Sequence, residues 1–437
     1  MQNNFLEIKS MFQNRSFRPG LQKKKWSAPS LGSRGRGGRG RSSFGANLDI
    51  SQFVKKAAPV SEQVPFKPEC RFSDFPIHEK LKAIIASRGF VDPTPIQDGA
   101  IPHILNGRDV IGIANTGTGK TAAFLVPLIN KVFHSPKSEY VLVLAPTREL
   151  ALQIQEEFLA FSKGSGICSA LVIGGAHMHT QVRDLRAKPN FIFGTPGRVK
   201  DLVERRLLDL SPVNTVVLDE VDRMLDMGFV QDMKHILSLV RKERQSLFFS
   251  ATLEGAVRDL AKTFLINPIT IFVKTRATSE NVHQDVVPVK TSAEKVEVLH
   301  ELLLKEEFRK VLVFSKTKRG ADRLARTLFD RGFKAGAIHG DLSQGQRERS
   351  LMKFREDSFR ILVATDVAAR GLDIDGITHV INYDLPMTYE DYVHRIGRTG
   401  RGTNIGYALT FVERFEADFE RASSPSPSSR PYRGRRR

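Results

Sequence analysis

Gly112-Ile-Ala-Asn-Thr-Gly-Thr-Gly-Lys-Thr121 gathers three glycines, a lysine and a terminal hydroxyl into ten residues. Glycine, having no Cβ, lets successive backbone N–H groups turn inward on an anion, and the free N–H groups of a following helix start add positive potential. In that setting Lys120 would lie on the outer phosphates of a nucleotide and the Thr121 hydroxyl on a Mg²⁺ ion. The usual pattern G-x-x-x-x-G-K-[ST] begins with glycine where this chain has Ala114, so a ligand-free glycine turn also fits the stretch alone. Asp219-Glu220 closes a later apolar run, Thr215-Val-Val-Leu218. An acid there suits Mg²⁺ and its neighbour suits an attacking water, although two acids opening a helix have the same spelling.

A third group, His394-Arg-Ile-Gly-Arg-Thr-Gly-Arg401, has three arginines in eight residues. Arginines on one helical edge can clamp a phosphate held by another domain, or line a basic surface helix. Upstream, Gly89-Phe-Val-Asp-Pro-Thr-Pro-Ile-Gln97 carries two prolines that stiffen a loop. Such a loop could present the Gln97 amide as donor and acceptor together, as an adenine edge demands, or could be a plain turn between helices.

The surrounding elements suit these roles. Asp109-Val-Ile leads into the glycine stretch and Ala122-Ala-Phe-Leu-Val-Pro-Leu-Ile-Asn-Lys131 has helical spacing, giving strand, turn and helix in order. Apolar runs at Tyr140–Ala145, Ala170–Ile173, Asn190–Phe193, Thr215–Leu218 and Gln245–Phe249 alternate with helical patterns, and polar clusters follow each run. That alternation predicts an α/β fold with a doubly wound parallel sheet and chemistry at the carboxyl ends of its strands. His78–Arg88, with Leu81, Ile84 and Ile85 spaced on one face, predicts a helix ended by Gly89, with a second helix from about Asp98.

Residues 275–286, from Lys274 to about Val287, lack periodicity and read as a linker. A second alternating segment follows, with strands at Lys310–Phe314, Lys334–Ile338, Arg360–Ala364 and His379–Asn382 and no phosphate loop of its own. The expected organisation is therefore a tail over 1–68, a first domain over 69–274, a second domain over 287–415 and a tail over 416–437.

Charge separates tails from body. Net charge is +19; residues 1–71 hold 14 Lys/Arg against 4 acids, and residues 421–437 hold 6 against none. Both tails read as disordered, since Ser33-Arg-Gly-Arg-Gly-Gly-Arg-Gly-Arg41 and Ala422-Ser-Ser-Pro-Ser-Pro offer no apolar face to bury. Basic Arg/Gly segments bind single-stranded nucleic acid through charge and guanidinium stacking, or serve only as solvated tails. No apolar run has the length of a membrane span and the N-terminus lacks a signal core, so a cytoplasmic protein without a membrane role is expected. Cys70 and Cys168, far apart, offer neither a disulfide framework nor a zinc site.

In sequence order these motifs, with His339-Gly-Asp-Leu-Ser-Gln-Gly-Gln-Arg347 and Thr365-Asp-Val-Ala-Ala-Arg370, resemble the DEAD-box family of ATP-dependent RNA helicases, its bacterial members most. The resemblance spans about residues 72–415. It implies two tandem RecA-like domains that close over ATP, Mg²⁺ and one RNA strand, with hydrolysis coupled to local unwinding of short RNA duplexes or remodelling of ribonucleoproteins.

Carried across, Phe72, Phe90 and Gln97 look like the adenine pocket and Thr116, Gly117, Thr118, Gly119, Lys120 and Thr121 the phosphate cradle. Asp219 would hold Mg²⁺ with Thr121, and Glu220 would handle the water. Gly371 and Asp373 would meet the ribose side, and Arg398 and Arg401 the γ-phosphate. Asp222, Ser250, Thr252 and His394 would couple hydrolysis to closure. RNA contacts would come from Arg148, Gly175, Thr195, Gly197, Arg198, Gly340, Asp341 and Thr365, mainly along the sugar–phosphate backbone.

One departure stands out: Val221 replaces the alanine of the motif that names the family, adding two methyl groups beside a tightly packed interdomain site; with Asp219, Glu220 and Asp222 intact, local repacking is expected to accommodate it and hydrolysis to survive. Two other readings share the motifs, an RNA-annealing chaperone whose tails do most of the work and a DNA-directed member of the same superfamily. A monomer is expected, with ribosomal or RNA-decay ribonucleoproteins as candidate partners.

Overall fold

The computed structural model describes residues 53–55, 66–115, 117–253, 255–273, 281–369, 374–400 and 404–413. Expectations falling elsewhere, including most of both tails, residues 274–280, and Thr116, Gly371, Asp373 and Arg401, lie outside the described residues.

The first half runs α1 (Glu79–Ser87), α2 (Pro95–Leu105), β1 (Val110–Ile113), α3 (Lys120–His134), β2 (Val141–Leu144), α4 (Arg148–Phe161) and β3 (Ser169–Val172). It continues with α5 (Met178–Arg186), β4 (Phe191–Gly194), α6 (Pro196–Glu204), β5 (Thr215–Leu218) and α7 (Val221–Asp226). It ends with α8 (Val230–Leu239), β6 (Gln245–Ser250), α9 (Gly255–Phe264) and β7 (Ile269–Phe272). The strands form one seven-stranded parallel sheet ordered β3-β4-β2-β5-β6-β1-β7.

Strands β2, β4, β5 and β6 are buried along their whole length, as continuous apolar runs covered by helices on both faces must be. Side chains alternate between the two covers. Val141 and Val143 join Phe124, Ile129 and Phe158 on one side, while Leu142 and Leu144 join Val216, Leu218 and Phe248 on the other.

The second half runs β8 (Val282–Val289), α10 (Ser292–Leu303), β9 (Val311–Phe314), α11 (Lys318–Asp330), β10 (Ala335–Ile338) and α12 (Gln344–Arg355). It closes with β11 (Ile361–Ala364), α13 (Asp366–Ala369), β12 (His379–Asn382), α14 (Tyr389–Ile396) and β13 (Gly406–Glu413). Its six-stranded parallel sheet is ordered β10-β11-β9-β12-β13-β8. Two doubly wound parallel sheets, the RecA-like architecture expected from the sequence, thus lie within one compact unit.

The structure corrects three expectations. Residues 282–286, read as linker, begin strand β8, which pairs with β13 along its full length. Val282-His-Gln-Asp-Val-Val-Pro-Val289 hides this because an edge strand tolerates polar residues and a proline. Helix α2 starts at Pro95 rather than near Asp98, because proline is preorganised for a first helical position and Thr94 supplies the extended residue before it. Within the stretch read as disordered tail, Phe53 is buried and Lys55 pairs with Gln284 of β8.

Candidate functional site: a phosphate loop, an acidic pair and an arginine cleft

The phosphate loop leaves the carboxyl end of β1 and enters α3 at Gly119, whose φ of +92° favours glycine. A Cβ there would also collide with the Gln97 amide nitrogen. Lys120 is buried and donates from Nζ to the Ala114 carbonyl at 2.9 Å, and Thr118 Oγ1 donates to the Asn115 carbonyl at 2.8 Å. The position that departs from the usual glycine therefore supplies the carbonyl that parks the lysine.

Gln97 falls in the first turn of α2. Its Oε1 accepts from the Thr94 N–H at 2.9 Å and its Nε2 donates to the Gly119 carbonyl at 3.0 Å. One amide hydrogen and one lone pair remain. The side chain thereby ties its own loop to the phosphate loop. Phe72 and Phe90 meet edge to face with ring centroids 6.1 Å apart, and the Phe72 N–H donates to the Val91 carbonyl at 3.1 Å.

Asp219 and Glu220 follow β5, next to β6. Asp219 is 2 % exposed, and burial pushes its carboxyl up to about 6, against the pull of the Lys120 ammonium. Its Oδ1 accepts from the Glu220 N–H at 3.0 Å. Glu220 adopts φ 53°, ψ 54°, a strained region for a residue with a side chain, and its buried Oε2 has no protein hydrogen-bond partner. A strained, buried and unsatisfied carboxylate beside a second one suits the handling of water or a cation. No group of three or more acidic, His or Cys side chains suited to a metal occurs among the described residues. The carboxylate of Asp219 is an oxygen ligand of the kind Mg²⁺ takes, and Mg²⁺ keeps waters and substrate phosphates and needs only one or two protein groups.

Asp222 links this motif to β6: its Oδ2 accepts from the N–H groups of Ala251 at 2.9 Å and Thr252 at 3.2 Å, while Ser250 Oγ lies 3.4 Å from the Asp222 N–H. The structure thus brings Asp222, Ser250 and Thr252 together. Val221 is 0 % exposed and sits in the first domain's own core with Leu218, Met224 and Phe248. The side chain is accommodated in that core, because the first turn of α7 points Val221 inward.

From the second half, Arg395, His394 and Arg398 share a narrow cleft with Asp366 and with Arg223 of α7. Arg395 is committed internally: it grips both Asp366 oxygens at 2.5 and 2.7 Å, donates to the Asp384 carbonyl at 2.7 Å and lies over the Phe314 ring. Arg398 is 4 % exposed and lines the same cleft, while Arg401 lies outside the described residues. Arg223 was not foreseen. It directly follows Asp222 and has a buried Nη1 without a partner.

The residues expected to contact RNA form two groups. The Arg148 guanidinium covers Gly174 and Gly175, where a Cβ on Gly175 would collide with it. Thr195 precedes α6 as its cap residue, Gly197 lies in its first turn with open space at its Cβ position, and Arg198 keeps a buried, unpartnered Nη1. Burial and the nearby Arg347 and Arg198 guanidiniums hold Arg148 below the usual arginine range. In the other group, Asp341 pairs with Lys318 at 2.6 Å, Gly340 approaches the same Lys318, and Thr365 lies at the carboxyl end of β11.

A buried ion pair joins the two groups: Arg347 Nη2 of α12 lies 2.8 Å from Glu149 Oε2 of α4. Desolvation raises the Glu149 carboxyl above its ordinary range, and Arg347 opposes that. Arg347 ends the His339–Arg347 motif and Glu149 directly follows Arg148, yet neither was assigned a role; in a string, neither side of an ion pair names its partner.

A phosphate loop after β1, an acidic pair after β5 two strands away in the same sheet and an arginine-bearing segment from a second parallel-sheet domain define the class of two-domain nucleotide-driven enzymes. Residues 94–260 match the DEAD/DEAH box helicase family, and residues 294–403 match the helicase conserved C-terminal domain. The ATP-dependent RNA helicase CshA of Listeria monocytogenes is 46 % identical over 352 residues, covering 80 % of this chain and 68 % of that protein. The Bacillus subtilis DEAD-box ATP-dependent RNA helicase CshA is 45 % identical over 352 residues, covering 80 % and 71 %. S. cerevisiae Dbp5 bound to RNA and ADP BeF3 is similar with TM-score 0.70 and 33 % identity, over 80 % of this chain and 92 % of that one.

The chain belongs to the DEAD-box family of ATP-dependent RNA helicases. It hydrolyses ATP and acts on RNA. No helix among the described residues is long and apolar enough to cross a membrane.

Proposed function

We propose that the described side chains divide the work of ATP-driven RNA remodelling as follows. Lys120 leaves the Ala114 carbonyl for the outer phosphates of ATP, and Glu220 uses its unsatisfied Oε2 to orient the attacking water. Asp219 and the Thr121 hydroxyl hold Mg²⁺, which when bound neutralises charge on the phosphates. Arg398, with Arg401, meets the γ-phosphate from the second domain and stabilises charge that develops during transfer.

Gln97 reports occupancy of the base site to the phosphate loop through the Gly119 carbonyl. Arg148, Thr195 and Arg198 on one side, and Gly340, Asp341 and Thr365 on the other, follow one RNA strand along its backbone. Phe72 and Phe90 enclose the adenine. The protein works as a cytoplasmic monomer on single strands and short duplexes, with ribosomal or RNA-decay ribonucleoproteins as its setting.

The observation that supports this reading best is the linkage of Asp222 to Ala251 and Thr252, which ties the acidic motif to the strand beside the phosphate loop. The test is steady-state ATP hydrolysis with and without single-stranded RNA. RNA should stimulate turnover strongly, and Lys120→Ala should lower it by about 10²-fold or more, the scale of losing one positioned donor to transition-state charge. Tight RNA binding without hydrolysis would instead favour the annealing chaperone.

A further inference from the structure

Phe53 belongs by composition to the basic N-terminal tail, yet it is 1 % exposed and its ring packs on Tyr392 with centroids 4.6 Å apart. Val282, Ile396 and Ala408 complete the socket around it. Two residues later the main chain joins the outer edge of β8. The Lys55 N–H donates to the Gln284 carbonyl at 3.0 Å, and the Gln284 N–H donates to the Lys55 carbonyl at 2.8 Å. The Gln284 side chain in turn accepts from the Tyr392 hydroxyl at 3.0 Å. Val54 between them is 55 % exposed, so among the described residues a single buried side chain and one antiparallel bridge carry the docking. Strand addition at a sheet edge with one side-chain pocket is an established way for a short segment to be recognised, here by its own chain.

What the socket is made of gives the docking a consequence. Tyr392 and Ile396 are one helical turn apart on α14, the helix that leads directly into Arg398. The turn beyond Arg398 rests on the same support: Gly400 has φ +69°, and a Cβ there would lie 2.7 Å from Val282 Cγ2 and 3.1 Å from the Asn281 carbonyl oxygen. Phe53 therefore backs both the helix that delivers Arg398 and the residue on which its following turn sits. Truncating the ring opens a void along that support, and an eight-residue helix has little rigidity of its own to compensate.

We propose that Phe53 is a positioning residue for ATP hydrolysis: docked on β8 through Lys55, it fixes α14 and so holds Arg398 in the cleft between the domains. This rests on the reading of Arg398 as a γ-phosphate ligand.

The test uses the full-length chain with Phe53→Ala, Phe53→Leu and Arg398→Ala. Readouts are ATP hydrolysis at saturating single-stranded RNA and hydrogen exchange over residues 389–396. Phe53→Ala should lower kcat about five- to tenfold, because small displacements of a catalytic group are costly to rate. It should leave KM for ATP within about twofold, since the phosphate loop and Gln97 lie in the first domain. Exchange over 389–396 should accelerate, and Phe53→Leu, which refills most of the socket, should restore most of kcat. Wild-type kcat in Phe53→Ala beside an inactive Arg398→Ala overturns this inference alone. Wild-type kcat in Arg398→Ala overturns the arginine reading and the inference with it. Unchanged exchange removes the docking, and parallel loss in kcat and KM without rescue by leucine assigns Phe53 to general stability; either result overturns the proposal.

Discussion

Asp219 is buried in an environment that disfavours its own charge. Its carboxyl titrates at 3.8 in an unstructured chain and at about 6 in the fold. Folded and unfolded states both hold the proton below the lower value, so nothing is lost there. As pH rises through the window between the two values, the unfolded chain releases its proton while the fold retains one, so stability falls, and above about 6 the full cost applies, on the order of 3 kcal/mol. Asp219→Asn keeps an acceptor for the Glu220 N–H and removes that cost. Denaturant unfolding of the nucleotide-free protein should therefore show the variant more stable at pH 8 by up to about 3 kcal/mol, shrinking to about half of that at pH 5. Its ATP hydrolysis should be lost. Equal stability of the two proteins at pH 8 would show that the buried carboxylate is fully compensated by Lys120.

At this scale the sequence was informative about identity and silent about commitment. Lys120, Thr121, Asp219 and Glu220 could be named because phosphate and metal chemistry demands those side chains after those strands. That Gln97 spends its Oε1 on Thr94, and that Arg395 spends its guanidinium on Asp366, could not be read. Those partners depend on where a helix begins and on a neighbour 29 positions away in the chain.

Between elements, α4 and α12 meet through Glu149 and Arg347, each 4–7 % exposed at the side chain. Removing one partner of a buried pair leaves the other charge desolvated and alone, at a cost of about 3–5 kcal/mol when the site is assembled. Arg347→Ala should therefore raise the RNA concentration needed for half-maximal ATPase stimulation at least tenfold, with little change in turnover at saturating RNA. Part of that loss also reflects the field of Arg148 and Arg198 beside it. A double-mutant cycle with Glu149→Gln separates the two contributions. A coupling above about 1 kcal/mol is expected if the pair links the domains; a coupling near zero would reduce Arg347 to one more cation near the strand.

The helices themselves were foreseeable from apolar spacing, and α1 appears over Glu79–Ser87, within the predicted His78–Arg88. Which helices would face one another was not, because that is set by the sheet order and not by local pattern.

Over the whole molecule, charge and fold are kept apart. Residues 1–52 carry 10 Lys/Arg against 2 acids and residues 421–437 carry 6 against none, so most of the net +19 lies beyond the two sheets. The domain organisation was legible as alternation of apolar runs and helical patterns. Its boundaries were blurred where edge strand β8 mixes polar residues with Pro288 and where one aromatic, Phe53, anchors an otherwise polar stretch.

That separation predicts two independent RNA contributions. In the proposed division of work, sheet-end residues such as Arg148 and Arg198 would act only in the assembled site, whereas tail cations would add affinity by releasing counterions from the RNA. Deleting residues 1–52 and 421–437 leaves Phe53 and Lys55 in place. The slope of log affinity for single-stranded RNA against log salt concentration should become shallower by about 0.7 for each phosphate that the tails had neutralised. Turnover at saturating RNA should stay within about twofold of the full chain, because no group assigned to phosphate chemistry is removed. Filter binding across a salt series, paired with ATPase assays of the same preparations, measures both. A slope that survives the deletion would put the nonspecific affinity on the domain surfaces, and a collapse of turnover at saturating RNA would make the tails part of the catalytic cycle.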